Sequence, residues 1–361
     1  MAEPTVRDVI SAVAEPRLRR TLGELGVIRH LEEAGNGRWR LGLAVPEAGW
    51  ALGPITGAVT SAARHAGAEA IELEPMPMDA AEADSLASRL KAGRPSRPGA
   101  DGSRTRVFSI ASGKGGVGKS SVTANTAVAL ARRGHDVAVL DADVWGFSIP
   151  RMLGVSEPPA MVGGLMVPPS AYGVRVISMD FFVAPDQAVV WRGPMLHKAL
   201  EQFLDEVFWD EPEFLLLDLP PGTGDVPISL SQFVPGALTV VVTTPQVTAQ
   251  RVARRAALMV EKVEQEVAGV VENMSWFTGD DGRRYEIFGS GGGQALADEL
   301  GVPLLGRVPL VSAVREGADR GDPAVVAAPD SEAAAAFDEI AARLSEARPR
   351  VRRRPELRVE R

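Results

Sequence analysis

The 361-residue chain contains no cysteine, and this absence removes a whole class of chemistry. Disulfide bonds, thiolate catalysis and cysteine-ligated metal centres all need a thiol group that no residue here supplies. Histidine is also scarce: four residues are spread widely along the chain and form no cluster of the kind that binds zinc. The function must therefore rest mainly on lysine, arginine, carboxylates, hydroxyls and backbone amides.

Long apolar runs and an excess of positive charge are missing as well. No segment approaches the roughly 20 apolar residues that cross a bilayer, and the N-terminus lacks the basic and then apolar pattern of a signal peptide. The formal net charge of -8 argues against broad nucleic-acid binding. We therefore expect a cytoplasmic protein whose partners are neither membranes nor nucleic acids.

Lysine is rare too, and its placement is informative. Among 39 basic residues only five are lysines, namely Lys91, Lys114, Lys119, Lys198 and Lys262. Two of them stand five positions apart in the glycine-rich stretch "SGKGGVGKSS". Lysine is a slim point charge, whereas arginine is bulkier and forked. The stretch therefore requires lysine at both positions.

Composition divides the chain into regions. Residues 1–90 predict a small α/β domain, with two strands around the turn "AGNG", a helix over 51–66 and a third strand in "AIELEP". Residues 91–104 are rich in Gly, Pro, Ser and Arg with almost nothing to bury, which predicts a flexible linker. Residues 348–361 hold seven arginines and two prolines, which predicts a solvated tail and opposes a membrane-binding helix.

Residues 105–347 alternate apolar strands with helices. The predicted strands include "RVFSIAS", "DVAVLDAD", "VRVISM", "EFLLLDLP", "ALTVVVTTP" and "VAGVVENM", and the last predicted helix covers about 331–347. Near-continuous apolar strands separated by helices are typical of a parallel sheet covered on both faces. The fold class predicted for this region is thus α/β, a mainly parallel twisted sheet.

The stretch from Gly113 to Ser120 fits G-x-x-x-x-G-K-[ST] between a predicted strand and a predicted helix, the setting that identifies a phosphate-binding loop. Backbone N–H groups and the helix N-terminus favour the β- and γ-phosphates of a nucleotide. We expect Lys119 to neutralise phosphate charge and Ser120 to offer its hydroxyl to Mg²⁺. The residues expected to bind the nucleotide are Gly113, Lys114, Gly115, Gly116, Val117, Gly118, Lys119, Ser120 and Ser121.

Polar residues end the neighbouring strands. Asp218 is expected to hold Mg²⁺ through water, while Asp141 and Asp143 are expected to serve the metal and the attacking water respectively. A purely structural role for these carboxylates is the alternative, although burying them without a partner would be costly. Asn273 is a candidate for contacting the nucleobase edge, with a turn-forming asparagine as the competing interpretation.

The first lysine, Lys114, makes the loop a deviant Walker A motif, K-G-G-x-G-K-[ST]. This resembles the branch of P-loop ATPases that includes MinD, ParA, ArsA and the nitrogenase iron protein. The resemblance implies an ATP-bound homodimer in which Lys114 crosses to the partner's nucleotide and acts in catalysis like an arginine finger. The alternative is a solvated lysine that adds only steering charge.

Eight stretches in order, among them "DADVWGFSIPRMLG", "DLPPGTGD", "VVENMSWF" and "IFGSGGG", together resemble the Mrp/ApbC/NBP35 family of iron–sulfur cluster carrier ATPases over about residues 105–325. Residues 1–90 more loosely resemble the MIP18-type (DUF59) domain that often precedes them. The family implies ATP, Mg²⁺ and an iron–sulfur cluster as cofactors, with iron–sulfur apo-proteins or assembly factors as partners.

One departure from that family is decisive for mechanism. Its members carry C-x-x-C after "ENMSWF", whereas this chain reads "FTGDDGRRYEIFG", and the cysteine positions are filled from Thr278, Gly279, Asp280 and Asp281. The N-terminal domain also lacks the cysteine expected near "AVPEAGW". Hard oxygen ligands are poor substitutes for thiolate on iron–sulfur, so the sequence does not support a cluster bound in the family's way. "TGDDGRRY" instead predicts a hairpin turn, with a substitute metal site at Asp280 and Asp281 as the alternative.

Two functions compete. The first is an ATP-hydrolysing dimer that assists iron–sulfur maturation and borrows a partner's cysteines, which the family-specific stretches favour. The second is an ATP-switched ParA/MinD-like protein that positions or docks partners, which the missing cysteines favour.

Overall fold

The computed structural model describes residues 4–46, 50, 52–95, 97–144, 146–183, 193–222, 224–263 and 265–349. The tail prediction therefore falls outside the described residues except at Arg348 and Pro349. Parts of three family-like stretches, Trp145, residues 190–192 and Thr223, are also outside them, as are residues 47–49 of the "AVPEAGW" stretch.

The N-terminal region forms a three-stranded sheet flanked by helices, as predicted. The strands of this region are β1 Ala14–Glu15 and β2 Arg20–Thr21, which pair with each other, and β3 Ile28–Gly35, β4 Arg38–Val45 and β5 Ala70–Pro77, which form the three-stranded sheet. Its helices are α1 Val6–Ser11, α2 Leu22–Leu25, α3 Leu52–His65 and α4 Ala80–Lys91. The antiparallel β3–β4 hairpin pairs with β5 in parallel. Helix α4, which the apolar pattern did not reveal, begins at a capping box between Asp79 and Glu82.

The larger region carries an eight-stranded sheet. The described strands of this region are β6 Arg106–Ser112, β7 Val137–Asp141, β8 Ala160–Val162, β9 Leu165–Val167, β10 Ser170–Ala171, β11 Val174–Ser178, β12 Phe214–Asp218, β13 Leu238–Thr243, β14 Glu266–Glu272, β15 Phe277–Thr278, β16 Arg284–Tyr285 and β17 Leu304–Arg307. Strands β8 and β9 pair with each other outside the eight-stranded sheet, and so do β15 and β16. The described helices are α5 Lys119–Arg132, α6 Ile149–Met152, α7 Gly193–Glu206, α8 Asp225–Phe233, α9 Val247–Lys262, α10 Gly292–Leu300, α11 Ser312–Arg320, α12 Ala324–Ala327 and α13 Glu332–Glu346, with a 3₁₀ turn at Met179–Phe182.

The strand order is β10-β11-β7-β12-β6-β13-β14-β17, and all neighbours are parallel except β10 and β11. Alternate residues of β12 enter different hydrophobic clusters on the two faces: Phe214 and Leu216 on one, Leu215 and Leu217 on the other. Burial on both faces explains the unbroken apolar strands, and the prediction of an α/β parallel sheet is confirmed.

Register sets the positions of the functional side chains. Asp218 at the end of β12 lies beside Asp141 at the end of β7, and Asp141 lies beside Ser178 of β11. The carboxyl ends of parallel strands meet at one edge of the sheet, next to the loop between β6 and α5. The candidate residues of distant sequence stretches are therefore collected at this edge.

The prediction of a flexible linker needs correction, because the segment is packed against the larger region. Arg94 pairs with Asp210 at 2.6 Å, and Arg97 pairs with Asp205 at 2.5 Å. Pro98 is buried. The composition indicated few apolar groups correctly, but it gave no sign of acidic partners more than a hundred residues away.

The two regions have separate sheets but share a hydrophobic cluster. Residues of the β8–β9 hairpin and Phe208 pack into the core formed by the N-terminal sheet and helices. At Gly163 an added Cβ would lie 2.6 Å from the Ala83 carbonyl oxygen, so the hairpin tip touches α4. Arg17 also forms an ion pair with Glu157.

Candidate nucleotide site

The loop that follows β6 is built for close backbone approach. Gly116 and Gly118 have φ of +78° and +81°, which favours glycine because it has no Cβ. At Gly113 an added Cβ would lie 2.3 Å from the Val252 carbonyl carbon, so the backbone of α9 packs directly on the start of the loop. Gly118 is also the N-cap of α5 and offers no capping side chain, which leaves N–H groups at the helix start for a ligand.

Lys119 lies at the floor of this loop in a buried ionic cluster. Its Nζ is 2.6 Å from Asp218 Oδ2 and 3.6 Å from Asp143 Oδ2. The Ser120 hydroxyl donates to the same Asp218 oxygen at 2.6 Å, and Thr123 donates to the other at 2.6 Å. The Asp218 side chain is fully buried, so its charge is balanced here by Lys119 and two hydroxyl donors.

Thr123 was not among the predicted site residues, although a signal for it exists. It lies four residues after Lys119 on α5, and its hydroxyl also donates to the Lys119 carbonyl oxygen at 3.0 Å. Residues four apart share a helix face. A hydroxyl on the lysine's own face was therefore detectable from the sequence.

Asp143 and Asp141 occupy different positions. Asp143 is one of the residues lining a cavity of about 600 Å³ in front of the loop, whereas Asp141 is not. The Asp141 carboxylate accepts hydrogen bonds from the backbone N–H groups of Asp143, Ser148 and Ile149 and from the Ser178 hydroxyl. In this structure Asp141 thus fixes the segment that carries Asp143, and its direct role toward a metal stays a prediction.

Burial changes the acidity of Asp141. Loss of solvent, reinforced by the nearby charge of Asp218, raises the pKa of its carboxyl to about 7. Charge at this edge of the sheet is therefore concentrated, with three carboxylates around a single buried ammonium group.

Lys114 lies apart from that cluster. It is half-buried, lines the same cavity, and donates from Nζ to Gln246 Oε1 at 3.2 Å. Gln246 is the N-cap residue of α9, and nothing in the sequence pattern marked it as a partner. The two lysines of the glycine-rich loop thus have different environments. Lys119 is buried against carboxylates, and Lys114 is held by a neutral amide.

The Asn273 side chain bonds to the nucleotide loop itself. The residue is 7% exposed, and its Nδ2 donates to the Val117 carbonyl oxygen at 2.8 Å. Its side chain is engaged with the loop backbone, and the residue is not among those that line the cavity. A nucleobase contact for Asn273 stays a prediction.

The cavity suits a nucleotide with its metal. Its lining combines loop residues with Asp143, Ser148, Met152, Leu196, Pro221 and Val226, and its volume is that of an ordinary small-molecule site. No group of three or more histidine and carboxylate side chains in the described part of the chain is arranged to hold a metal ion. Ser120, which lines the cavity, stays the candidate protein ligand for Mg²⁺.

The β15–β16 hairpin does form where predicted, with Gly282 at its tip at φ +74°. Asp281 accepts hydrogen bonds from the Arg283 N–H at 3.0 Å and the Tyr285 hydroxyl at 2.8 Å, which lower the pKa of its carboxyl. Asp281 is thus occupied within the turn. Thr278, Trp276 and Arg284 all donate to Glu332 of α13. With oxygen donors alone, the hairpin does not fit an iron–sulfur cluster.

In the described part of the chain, no helix is both long and apolar enough to cross a membrane.

Comparison with known proteins agrees with this geometry. Residues 103–345 match the family model described as "ParA: NUBPL iron-transfer P-loop NTPase". The chain is 43% identical over 337 residues to an iron–sulfur cluster carrier protein of Mycobacterium tuberculosis, covering 90% of this chain and 88% of that protein. A protein of the same description from Bacillus subtilis is 41% identical over 317 residues, covering 85% and 88%.

Solved structures give the same result for the fold. A nucleotide-binding protein from Archaeoglobus fulgidus, in complex with ADP, is 33% identical with a TM-score of 0.51, covering 60% of this chain and 87% of that one. The cell division ATPase MinD of Pyrococcus furiosus is 27% identical with a TM-score of 0.51, covering 66% and 98%. The chain therefore belongs to the NUBPL iron-transfer family of P-loop NTPases.

Proposed function

We propose that this protein binds Mg²⁺·ATP at the 113–121 loop, hydrolyses it as a homodimer, and assists iron–sulfur protein maturation without cysteine ligands of its own. The observation that carries the proposal is the cluster of Lys119, Ser120, Asp143 and Asp218 at the floor of a glycine loop. Strand-end carboxylates held against a loop lysine and its serine match what phosphoryl transfer requires.

Each residue has a distinct task in this proposal. Lys119 exchanges its contact with Asp218 for phosphate oxygens, and the loop N–H groups hold the β- and γ-phosphates. Mg²⁺, when bound, offsets phosphate charge, and Ser120 supplies its protein ligand. Asp218 accepts from water in the outer layer, and Asp143, at the cavity wall, orients the attacking water.

The environment of Lys114 supports the proposal of a dimer. The Lys114 side chain is held by the neutral Gln246, so leaving that partner strands no charge. In the proposed dimer it reaches the other subunit's nucleotide and stabilises charge in the transition state. We place the dimer in the cytoplasm, with iron–sulfur apo-proteins or assembly factors as its partners.

The cluster is cargo in this proposal, held by thiolates of a partner protein. The chain has no cysteine, and the hairpin that occupies the family's ligand position is closed by its own hydrogen bonds and by Glu332. Hydrolysis would then change how the dimer holds the partner, while the protein contributes no ligand to iron.

The test has two stages. Calorimetric titration should give Mg²⁺·ATP binding in the parent and none in Lys119→Ala, whose fold is checked by circular dichroism. In the second stage, cluster transfer from a donor scaffold to an apo [4Fe–4S] enzyme is followed by recovered activity. Parent protein with ATP should accelerate transfer, and Lys119→Ala should not.

A ParA/MinD-like positioning role is the second candidate, favoured by the complete absence of cysteine and the likeness to the MinD ATPase. It predicts ATP-dependent dimerisation and ATPase activity with no effect on cluster transfer. The transfer assay therefore separates the two functions when binding and hydrolysis are intact.

A further inference from the structure

A buried amide connects the end of β14 to the nucleotide loop. Asn273 follows Glu272 directly, and its backbone N–H donates to the Thr243 carbonyl oxygen at 2.8 Å, which fixes its main chain beside β13. Its side chain then donates from Nδ2 to the Val117 carbonyl oxygen at 2.8 Å. The hydrogen bond joins residues 156 positions apart, so it connects the segment after β14 with the loop after β6.

Peptide geometry gives this hydrogen bond a consequence for the ligand. In a trans peptide the carbonyl of one residue and the N–H of the next point in opposite directions. A Val117 carbonyl directed at Asn273 therefore turns the Gly118 N–H away from Asn273. Val117 and Gly118 both line the cavity, so the side opposite Asn273 is the side of the phosphates.

Steric contact makes the arrangement rigid. An added Cβ on Gly118 would lie 2.2 Å from Asn273 Nδ2, so the amide fills the space above the glycine. Gly118 also has φ of +81°, and the next residue after Asn273, Met274, has φ of +58°, which is uncommon for a side chain of its size. The strand end and the loop therefore fit each other in one conformation.

The residue before Asn273 anchors the strand end. Glu272 is fully buried and accepts from the Ser275 hydroxyl at 2.9 Å, the Gly293 N–H at 2.5 Å and Arg307 Nε at 3.1 Å. These donors come from α10, β17 and the turn after β14. Glu272 is thus directed to partners other than the loop, and Asn273 alone of this pair contacts Val117.

We infer that Asn273 is a positioning residue for the phosphate loop: its amide holds the Val117 carbonyl and thereby directs the Gly118 N–H at the nucleotide's phosphates. The inference deepens the proposed nucleotide binding and rests on it. It assigns Asn273 to the phosphate end of the ligand, whereas the sequence interpretation placed it at the base.

Two variants of nearly the same shape as asparagine distinguish a role at the phosphate end of the ligand from a contact with the base. Asn273→Leu removes the donor at every pH. Asn273→Asp removes the donor when the new carboxyl is ionised and restores an O–H donor when it is protonated. The side-chain contacts described for Asn273 are with Val117 and Gly118, which carry no titratable group, and the neighbouring Glu272 carboxylate is engaged by Ser275, Gly293 and Arg307.

The measurement is the dissociation constant of Mg²⁺·ATP and Mg²⁺·GTP, expressed as the ratio of variant to parent between about pH 5 and about pH 8. Taking the ratio cancels the titration of the nucleotide itself. Asn273→Leu should weaken both nucleotides by the same factor, roughly 10- to 100-fold, as expected for a misdirected donor to a charged group. Asn273→Asp should match that loss at high pH and recover toward parent affinity at low pH.

Three outcomes would overturn the inference while leaving the nucleotide site intact: parent-like affinity in Asn273→Leu, a loss confined to ATP, or no recovery of Asn273→Asp at low pH. Thermal unfolding of each variant confirms that it is folded at the pH used. Lys119→Ala is measured beside them. If it binds ATP like the parent, the proposed function itself fails, whatever Asn273 does.

Discussion

The phosphate loop at residues 113–121 and the hairpin at residues 277–285 follow strands of the same sheet, β6 and β14, yet they differ in almost every physical respect. The loop is held by buried charges and by backbone contacts that only glycine permits. The hairpin is exposed, and its polar side chains bond to one another and to Glu332. The residues expected to bind a nucleotide are thus brought together at the loop, whereas the hairpin has no thiolate for a cluster.

The same contrast exists between their ion pairs. Lys119 and Asp218 meet at 2.6 Å with almost no solvent around them, whereas Arg284 and Glu332 meet at 2.9 Å with about half of each side chain exposed. Charges in a low-dielectric interior interact strongly and are costly to separate, while exposed pairs are screened. A ligand that takes the place of Asp218 beside Lys119 therefore has to replace a strong, buried ion pair.

The largest expected effect concerns Lys114. Lys114→Ala should leave ATP affinity within a few-fold of the parent but lower kcat by up to roughly 10³–10⁵, the range known for catalytic arginine fingers. Steady-state phosphate release measures kcat, and calorimetry measures binding.

Mixing experiments test whether Lys114 acts in the partner's site. Lys114→Ala and Asp143→Ala are each inactive in the proposal, and a mixed dimer has one site with its own Asp143 and the partner's Lys114. Partial recovery of hydrolysis is expected. Its absence, when mixed dimers are shown to form, would place Lys114 on its own nucleotide or remove Asp143 from catalysis.

The next prediction concerns iron. After anaerobic incubation with iron and sulfide and then desalting, the parent should retain no cluster, because oxygen ligands do not replace thiolates. A Thr278→Cys/Asp281→Cys variant restores the C-x-x-C spacing and should gain bound iron and visible absorbance. A stable cluster in the parent would contradict the comparison of loop and hairpin outright.

Two glutamates allow the same contrast to be tested through the free energy of unfolding. Glu272 is buried and Glu332 is partly exposed, yet each accepts hydrogen bonds from an arginine and other donors. Glu272→Ala should lower the free energy of unfolding by about 3 kcal/mol, since it leaves the buried Gly293 N–H and Ser275 hydroxyl without their carboxylate acceptor, and Glu332→Ala by about 0–1 kcal/mol. Urea unfolding measures both free energies. Equal losses would mean that the contacts of Glu332 with the hairpin stabilise the fold as much as the contacts of Glu272 at the end of β14.

The smallest expected effect is a pH dependence. The folded pKa of Asp141, about 7, lies above its unfolded value, so between about pH 4 and about pH 7 the folded state binds more protons than the unfolded state. The stability of the nucleotide-free protein should therefore fall as pH rises through this window. Asp141→Asn should flatten the slope.

Asp281 provides the control for that slope. Its pKa is lowered by hydrogen bonds within the turn, so its stabilising contribution is lost only as pH falls through its folded pKa, which lies below the Asp141 window. Asp281→Asn should therefore leave the slope between about pH 5 and about pH 7 unchanged. A change as large as that of Asp141→Asn would show that the slope does not come from buried charge.

Several parts of the site were predictable because their signals are local. Glycines spaced around Lys119 specify a tight loop at a helix N-terminus, and apolar runs before Asp141 and Asp218 specify buried strands that end at one sheet edge. The "DDG" turn of the hairpin was predictable for the same reason. Each conclusion depends on residues within a few positions of one another.

Other parts were not predictable because their partners are distant in sequence. The bonds of Lys114 to Gln246 and of Asn273 to Val117 span 132 and 156 positions. The linker's arginines find acidic residues that composition alone could not assign to them. The sharing of the N-terminal core with the β8–β9 hairpin likewise left no periodic signal.

The sequence by itself determined the class of chemistry: a phosphate loop with two lysines, carboxylates at strand ends, and no thiol for iron. Those properties follow from residue identity and short-range geometry. Only the tertiary structure decided which carboxylate faces the cavity, which amides hold Lys114 and the Val117 carbonyl, and which contacts close the hairpin. Packing makes those choices, because a side chain's hydrogen-bond partner is fixed by the residues that the fold brings beside it.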